Sequence, residues 1–228
     1  MGIYAATIEG IATRALNTTE VTFGISEPFK FTAGQYVTVT LPTLYHLAER
    51  EQYREFSLIS PPEDASRLSI VFRNSGSHFK QEILRGRDIG RNIKVSLEGP
   101  KGVFTLSQDL SMPIVFLAGG IGIAPFLSMM RHLSNLKISA DITLFYCNRN
   151  RESATYLDEI MSYEFVRCIP VFGDLSLTLI ESHAKEYSKD GLWYVSGPRG
   201  MVRTAREILT ALSVEDRYIR SEEFSGYE

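Results

Sequence analysis

Thiols are scarce in this chain. Its 228 residues hold two cysteines, Cys147 and Cys168, too few for a four-thiolate iron–sulfur cluster or a disulfide framework. A reducing, cytoplasmic setting is the expectation. Histidine is hardly commoner: none of the four stands at metal-ligand spacing from another histidine or from a cysteine, so no metal is expected. A surplus of one charge is missing as well. The net charge of −3 and pI near 5.9 exclude the global field that draws proteins to nucleic acid or anionic membranes. A phosphate-bearing ligand must therefore find local cations. The opening MGIYAATIEGIATR has neither the layout of a signal peptide nor the hydroxyl residue that a myristoylation signal carries at position 6. One apolar run, residues 113–130 (PIVFLAGGIGIAPFLSMM), approaches the length of a membrane span, yet its three glycines and internal proline argue against one. No Ser/His/Asp set and no paired-carboxylate constellation is evident.

What is present reads as two halves. A hydrophobic share of 44% with 22% charged residues suits two modest cores, and two domains are expected, residues 1–108 and 109–228, meeting near LSQDLSMP (106–113). In the first half EVTFGIS, QYVTVTLP, REFSLIS, RLSIVFR and NIKVSLEGP are short β-branched and aromatic runs bounded by turn residues. Their spacing predicts a closed antiparallel β-barrel, expected to have six strands. SHFKQEILRG (77–86) predicts one helix with Phe79, Ile83 and Leu84 on a single face and Gly86 at its end, whereas TLYHLAEREQY (43–53) reads as a mobile, solvated loop.

Beyond about residue 110 apolar strands alternate with helices, predicted over 125–133, 156–161, 177–187 and GMVRTAREILTAL. That alternation predicts an α/β parallel sheet covered on both faces, a nucleotide-binding architecture.

Three turns at the strand ends of this second half carry chemistry. In AGGIGIAPF, Gly119, Gly120 and Gly122 let backbone approach a ligand, and Pro125 occupies the first helical turn. Exposed amides and the helix dipole there favour phosphate, although such a loop also serves merely to pack helix on sheet. In YCNRNRES, Arg149 and Arg151 either hold a phosphate or stack on adenine, with Glu152 beside them as a candidate ribose acceptor; the alternative is a pair of solvated arginines. VSGPRGM sets Ser196, Gly197 and Pro198 at the same sheet edge.

Taken in order, these segments resemble the ferredoxin–NADP reductase-like flavoproteins over nearly the whole chain. REFS is similar to that family's Arg-x-Tyr/Phe-Ser flavin motif, GGIGIAP to its nicotinamide loop and YCNRNRE, with Asn148, to its adenosine-end segment. SGPRGM, ending in Met201, is similar to its Cys-Gly-Pro-x-x-Met turn, and EEF to its C-terminal Glu-x-aromatic piece. The resemblance implies that Arg54 pairs with the FAD pyrophosphate, that Phe56 lies against the flavin and that Ser57 offers a hydrogen bond to the nitrogen accepting hydride. Because strand alternation separates Ser57 from Arg54 and Phe56, a twist or bulge is expected there. FRNSGSHFKQEI stands where relatives carry a phosphate-binding helix start. Gly76, Ser77 and His78 fit as amide donors, Phe79 follows, Arg73 is a further phosphate candidate, and Lys80 replaces an expected hydroxyl, turned either to phosphate or to water.

Ser196 stands where many members have cysteine, which leaves hydride transfer feasible. Glu222 matches a carboxylate near the reacting centre, with Glu223 as the alternative, and either Phe224 or Tyr227 is the ring that covers the flavin. The resemblance thus implies hydride transfer from NADPH or NADH to bound FAD, with Ser57, Glu222 and Phe224 as catalytic residues. Electrons then pass to an external ferredoxin, flavodoxin or oxygenase component. Arg149 leans toward NADPH and Glu152 toward NADH. The alternatives are an NAD(P)H:flavin oxidoreductase using free flavin and a non-catalytic electron-transfer subunit.

Overall fold

The structure is a computed structural model describing residues 2–88, 93–173, 180 and 191–224. The helix expected over 177–187 lies, apart from residue 180, outside the described residues, as does Tyr227.

Six antiparallel strands form the first sheet: β1 (Gly2–Ala15), β2 (Thr18–Ile25), β3 (Tyr36–Thr40), β4 (Tyr53–Ser57), β5 (Arg67–Arg73) and β6 (Lys94–Lys101), in the order β4-β3-β6-β1-β2-β5. Its two edges meet where Leu58 bridges Ile70 and the Ile59 amide donates to the Ser69 carbonyl at 2.8 Å, which closes the barrel. Five strands arise from the β-branched runs. The sixth, β1, has no such run, because in its fourteen residues only Ala6 and Ile8 are buried; ladders to β2 and β6 on either side hold it instead.

Phe23, Phe29, Leu58, Phe72 and Phe79 fill the interior, all fully covered. Helix α2 (His78–Asp88) plugs the barrel with Phe79 and Ile83. Gly86 does not end this helix but lies within it: a Cβ there would stand 2.1 Å from the Ile93 Cδ1, so the glycine lets the helix approach closely. Residues 43–53 are also more ordered than a solvated loop. They run through a 3-10 turn (Pro42–Leu44) that buries Leu44 and a one-turn helix α1 (Glu49–Gln52) braced by a Gln52 amide bond to the Leu47 carbonyl at 2.8 Å.

The second sheet is parallel, β7 (Ile114–Gly119), β8 (Ile142–Asn148), β9 (Val166–Phe172), β10 (Leu192–Pro198) and β11 (Ile219–Phe224), in the order β11-β10-β7-β8-β9. Every residue of β7 and β8 is buried, as a sheet covered on both faces requires. Ile114, Phe116 and Ala118 face α3 (Ile123–Leu136) and α4 (Leu157–Met161), while Val115 and Leu117 face α5 (Arg199–Ala211). Phe116 stacks on Phe126 at 4.3 Å, and removing either ring is expected to cost about 3–5 kcal/mol. The apolar run 113–130 is thus divided between β7 and α3, and among the described residues no helix is long and apolar enough to cross a membrane.

Because β8 lies on one side of β7 and β10 on the other, the carboxyl ends of β7 and β10 flank the point where the winding reverses, where open α/β sheets form their ligand crevice. The barrel is pinned across that edge. Ser128 Oγ donates to the Ser60 carbonyl at 2.7 Å. Arg131, bidentate to Glu159 at 2.7 and 2.8 Å, also reaches the Ile59 carbonyl at 3.0 Å. Tyr156 donates to the Glu20 carboxylate at 2.5 Å, which Arg14 holds from the other side.

Candidate functional site

Two cavities open along this seam. The smaller, about 410 Å³, is walled by Tyr36, Arg54, Phe56, Ser57, Ser75, Ser77 and Lys80 of the barrel half, and by Ile121, Ala124, Glu222 and Phe224 of the sheet half. Arg54 and Phe56 are thus brought together with Ser57, but not by a bulge: the β3–β4 ladder is regular from Tyr53 to Ser57, and the chain turns after Ser57, where Leu58 leaves β3 for β5. The Arg54 guanidinium rests on the carbonyls of Arg50 and Tyr53 and lies over the Phe79 ring at 5.8 Å, its outer edge open to the cavity.

Lys80 is 6% exposed, with its ammonium 5.6 Å from the Phe72 ring centre. Burial first, and the charge of Arg54 second, pull its pKa down to about 8. Lys80 therefore faces the cavity and not bulk water. Arg54, Lys80, Ser75 and Ser77 supply the cations and hydroxyls that a diphosphate takes, in a cavity that Glu55 and Glu223 also line. Phe56 is only 8% exposed, its ring packed against Phe72 at 5.8 Å and Phe79 at 5.9 Å. Gly76, His78 and Phe79 line neither cavity: Phe79 is core, and His78 bonds Glu51 at 2.7 Å.

Ser57 Oγ donates to Glu222 Oε2 at 3.3 Å, joining barrel to sheet at the bottom of the cavity. Burial pushes the Glu222 carboxyl up to about 7, opposed by that hydrogen bond. Its neighbour Glu223 also lines the cavity but pairs with Arg199 at 3.1 Å, so of the two candidate carboxylates Glu222 is the one that meets Ser57.

The larger cavity, about 800 Å³, runs across the carboxyl ends of the parallel strands and shares Phe224 with the smaller one. Gly119, Gly120, Cys147, Asn148, Arg149, Pro198, Gly200 and Met201 line it. Its floor is closely packed backbone. A Cβ on Gly119 would meet Met201 Sδ at 2.4 Å, and one on Gly122 would meet the Ser196 carbonyl oxygen at 2.2 Å. Gly120, at φ +53°, lines the opening in a conformation that favours glycine. Gly122, Pro125 and Ser196 sit behind this floor; the Ser196 side chain is fully covered, in register with Glu222.

Three polar candidates behave differently from expectation. Arg73 lines the larger cavity but spends its guanidinium on the Leu16 carbonyl at 3.0 Å, Thr18 Oγ1 at 3.1 Å and the Ser153 carbonyl at 2.8 Å, a tie between barrel and sheet. Arg151 pairs on the surface with Asp158 at 3.4 Å, and Glu152 is exposed outside the lining. Asn148, by contrast, is 6% exposed with neither amide atom hydrogen-bonded. Sequence reasoning missed Tyr36, Ser75, Asn17, Asn74 and Thr204 among the lining residues. Only the pairing of β3 with β4 could have put Tyr36 beside Ser57. Burial pushes the Cys147 thiol up to about 12 and the Cys168 thiol up to about 11, which favours the protonated form of both at neutral pH.

Residues 116–167 match the family described as "Oxidoreductase NAD-binding domain". The propane 2-monooxygenase reductase component of Rhodococcus jostii is 27% identical over 202 residues, covering 80% of this chain and 52% of the relative. The phthalate 4,5-dioxygenase oxygenase reductase subunit of Pseudomonas putida is 32% identical over 146 residues, 63% of this chain and 42% of the relative. The chain thus spans about half the length of such relatives.

Among solved structures, an Amycolatopsis cytochrome P450 reductase superposes with a TM-score of 0.81 at 22% identity, over 98% of this chain and 70% of that one. Ferredoxin-NADP+ reductase from Plasmodium falciparum superposes at 0.79 with 18% identity, over 97% and 96%. With its closed six-stranded barrel, its five-stranded parallel sheet and the crevice between them, the chain has the ferredoxin reductase-like fold, and within it residues 116–167 match an oxidoreductase NAD-binding domain.

Proposed function

We propose that this chain is an FAD-dependent oxidoreductase that takes a hydride from NADPH or NADH and passes electrons to a separate acceptor, a ferredoxin, a flavodoxin or an oxygenase component. Its working units are residues 1–108 for the flavin and 109–228 for the nicotinamide nucleotide, and its setting is the cytoplasm. One observation carries the reading: the Ser57–Glu222 pair, drawn from the two halves, lies in the cavity that shares Phe224 with the glycine-floored one. The acceptor classes follow from relatives described as reductase components of oxygenase systems and from structural likeness to a ferredoxin-NADP+ reductase.

When bound, the flavin supplies the redox chemistry. The protein's own part is positioning. Arg54 and Lys80 hold the diphosphate in the smaller cavity, which favours tightly bound FAD over a diffusing flavin substrate. Gly119 and Gly120 admit the nucleotide's phosphates to the larger cavity at the approach to α3. Phe224 stands between the two and yields to the nicotinamide. Ser57 offers its hydroxyl to the reacting ring, and Glu222, poised near neutrality, holds or releases a proton one hydrogen bond away.

Orienting two reactants in this way provides up to about 7–11 kcal/mol of barrier reduction without a separate acid–base pair. Anaerobic stopped-flow mixing of the flavin-loaded protein with NADPH and with NADH tests the proposal. Bleaching of the flavin absorbance with at least one nucleotide is expected, and the ratio of the two specificity constants identifies the donor. Protein that stays yellow with both nucleotides would overturn it.

A further inference from the structure

The chain that leaves Ser57 is held from two sides. The Leu58 and Ile59 amides donate into the barrel, to the Gln35 carbonyl at 3.0 Å and the Ser69 carbonyl at 2.8 Å. The Ile59 and Ser60 carbonyls accept instead from α3 of the sheet half, from Arg131 Nη1 at 3.0 Å and from the fully buried Ser128 Oγ at 2.7 Å. Further along, His132 bonds Glu63 at 2.6 Å and Asn135 donates to the same carboxylate at 3.4 Å. Positions 128, 131, 132 and 135 fall at i, i+3, i+4 and i+7, so a single face of α3 grips residues 59–63. Arg131 is the centre of this grip. Its Nε and Nη2 are taken by Glu159 and its third nitrogen by Ile59, and its Cζ lies 5.3 Å from the centre of the Tyr156 ring.

The same helix begins at the crevice. Gly119, Gly120 and Ile121, just before it, line the larger cavity, and Ile121 and Ala124 line the smaller. Only about 6 Å of helix separates Ala124 from Ser128. A stiff rod thus carries the glycine loop at its head and the exit of β4 clamped to its flank. The other ties across the seam, Arg73 to the Ser153 carbonyl at 2.8 Å and Tyr156 to Glu20, grip β5 and β2 instead. Resting on the reading that the two cavities hold a flavin and a nicotinamide nucleotide, we infer that Ser128 and Arg131 are positioning residues that set the spacing between the two reacting rings. They line neither cavity, yet they lock the strand of Ser57 to the helix that follows the glycine loop. Hydride transfer is steeply sensitive to such spacing, a misplacement of about 1 Å costing about 100-fold in rate.

The test compares wild type with Ser128→Ala and Arg131→Lys. The lysine keeps a positive charge for Glu159, but its single ammonium cannot also hold the Ile59 carbonyl in the geometry of the guanidinium fork. Three quantities are read: amide hydrogen exchange at Leu58, Ile59 and Ser60 in the flavin-free protein, the FAD dissociation constant, and anaerobic flavin bleaching over a range of NADPH and NADH concentrations. Exchange is expected to quicken by at least about 5-fold in both variants. FAD affinity and the nucleotide concentration giving half the limiting rate are expected to stay within about 2-fold of wild type. The limiting bleaching rate itself is expected to fall about 10-fold in Arg131→Lys and about 3-fold in Ser128→Ala. Limiting rates equal to wild type in both variants overturn the inference, whatever the exchange shows. So does a slower rate matched by an equal weakening of FAD or nucleotide, which is the mark of general loosening. Flavin-loaded wild type that neither nucleotide bleaches would instead overturn the underlying reading of the cavities.

Discussion

The two cavities that meet at Phe224 are built by opposite means. The smaller is made of side chains: the Arg54 guanidinium, the Lys80 amine lowered to about 8, serines and the Glu222 carboxyl raised to about 7 enclose about 410 Å³. The larger, about 800 Å³, sets the glycines Gly119, Gly120, Gly173 and Gly200 among neutral amide side chains, Asn17, Asn74, Asn148 and Asn150, with Arg73 and Arg149 as its cations. Lys80, already desolvated, binds an anion with little further loss of hydration, which suits a ligand held through many turnovers. Backbone and open volume suit one that arrives and leaves. On the proposed function, the same chain carries a resident site and a visiting site side by side.

The largest effect expected from breaking this contrast lies on the resident side. Arg54→Ala removes a cation from the diphosphate wall and is expected to weaken FAD by about 100-fold, read as loss of pigment on gel filtration with nucleotide binding retained. Lys80→Met should weaken FAD by about 10-fold at pH 7 and change its pH profile. With the amine titrating near 8 in the flavin-free protein, FAD affinity is expected to fall as pH rises above that value in wild type and to stay level in the variant. Calorimetric titrations from pH 6.5 to 9.5 read both.

Glu222 sharpens the comparison through stability. Its folded pKa of about 7 lies above the ordinary carboxyl value of 4.5, so the folded state binds the extra proton between the two. That contribution is present below about 4.5 and lost as pH rises through about 7. Melting curves of flavin-free protein should show wild type losing stability over this window more steeply than Glu222→Gln. The smallest effect belongs to the visiting site. Because both amide atoms of Asn148 lack hydrogen-bond partners, Asn148→Leu is expected to stabilise the protein by about 1 kcal/mol, measured by denaturant titration, while weakening the nucleotide.

How much of this was legible in the sequence depends on what each feature requires. The barrel strands with dense β-branched runs and the buried β7 and β8 announce themselves by composition, whereas β1 is invisible because its neighbours, not its own apolar residues, hold it. Arg54, Ser57 and Gly119 stand out as motif residues, and the cavities gather them. Tyr36 does not stand out, because its place in the smaller cavity depends on register across two strands. Glu152 looked like a ribose acceptor only because sequence proximity cannot tell which side of the turn at Arg151–Ser153 a side chain leaves. The choice between Glu222 and Glu223 required knowing which face of β11 meets the barrel. Gly86 read as a helix end, yet what it answers is Ile93.

The separation of resident and visiting sites is tested most directly by Gly200→Phe. Gly200 lines the larger cavity in the first turn of α5, where a new Cβ meets nothing within 4 Å, so a phenyl ring can occupy the cavity without straining the backbone. In anaerobic mixing of the flavin-loaded variant with NADPH and NADH, the account expects full pigment whose bleaching is lost or slowed by at least about 100-fold. Bleaching at the wild-type rate, or loss of the pigment itself, would contradict it.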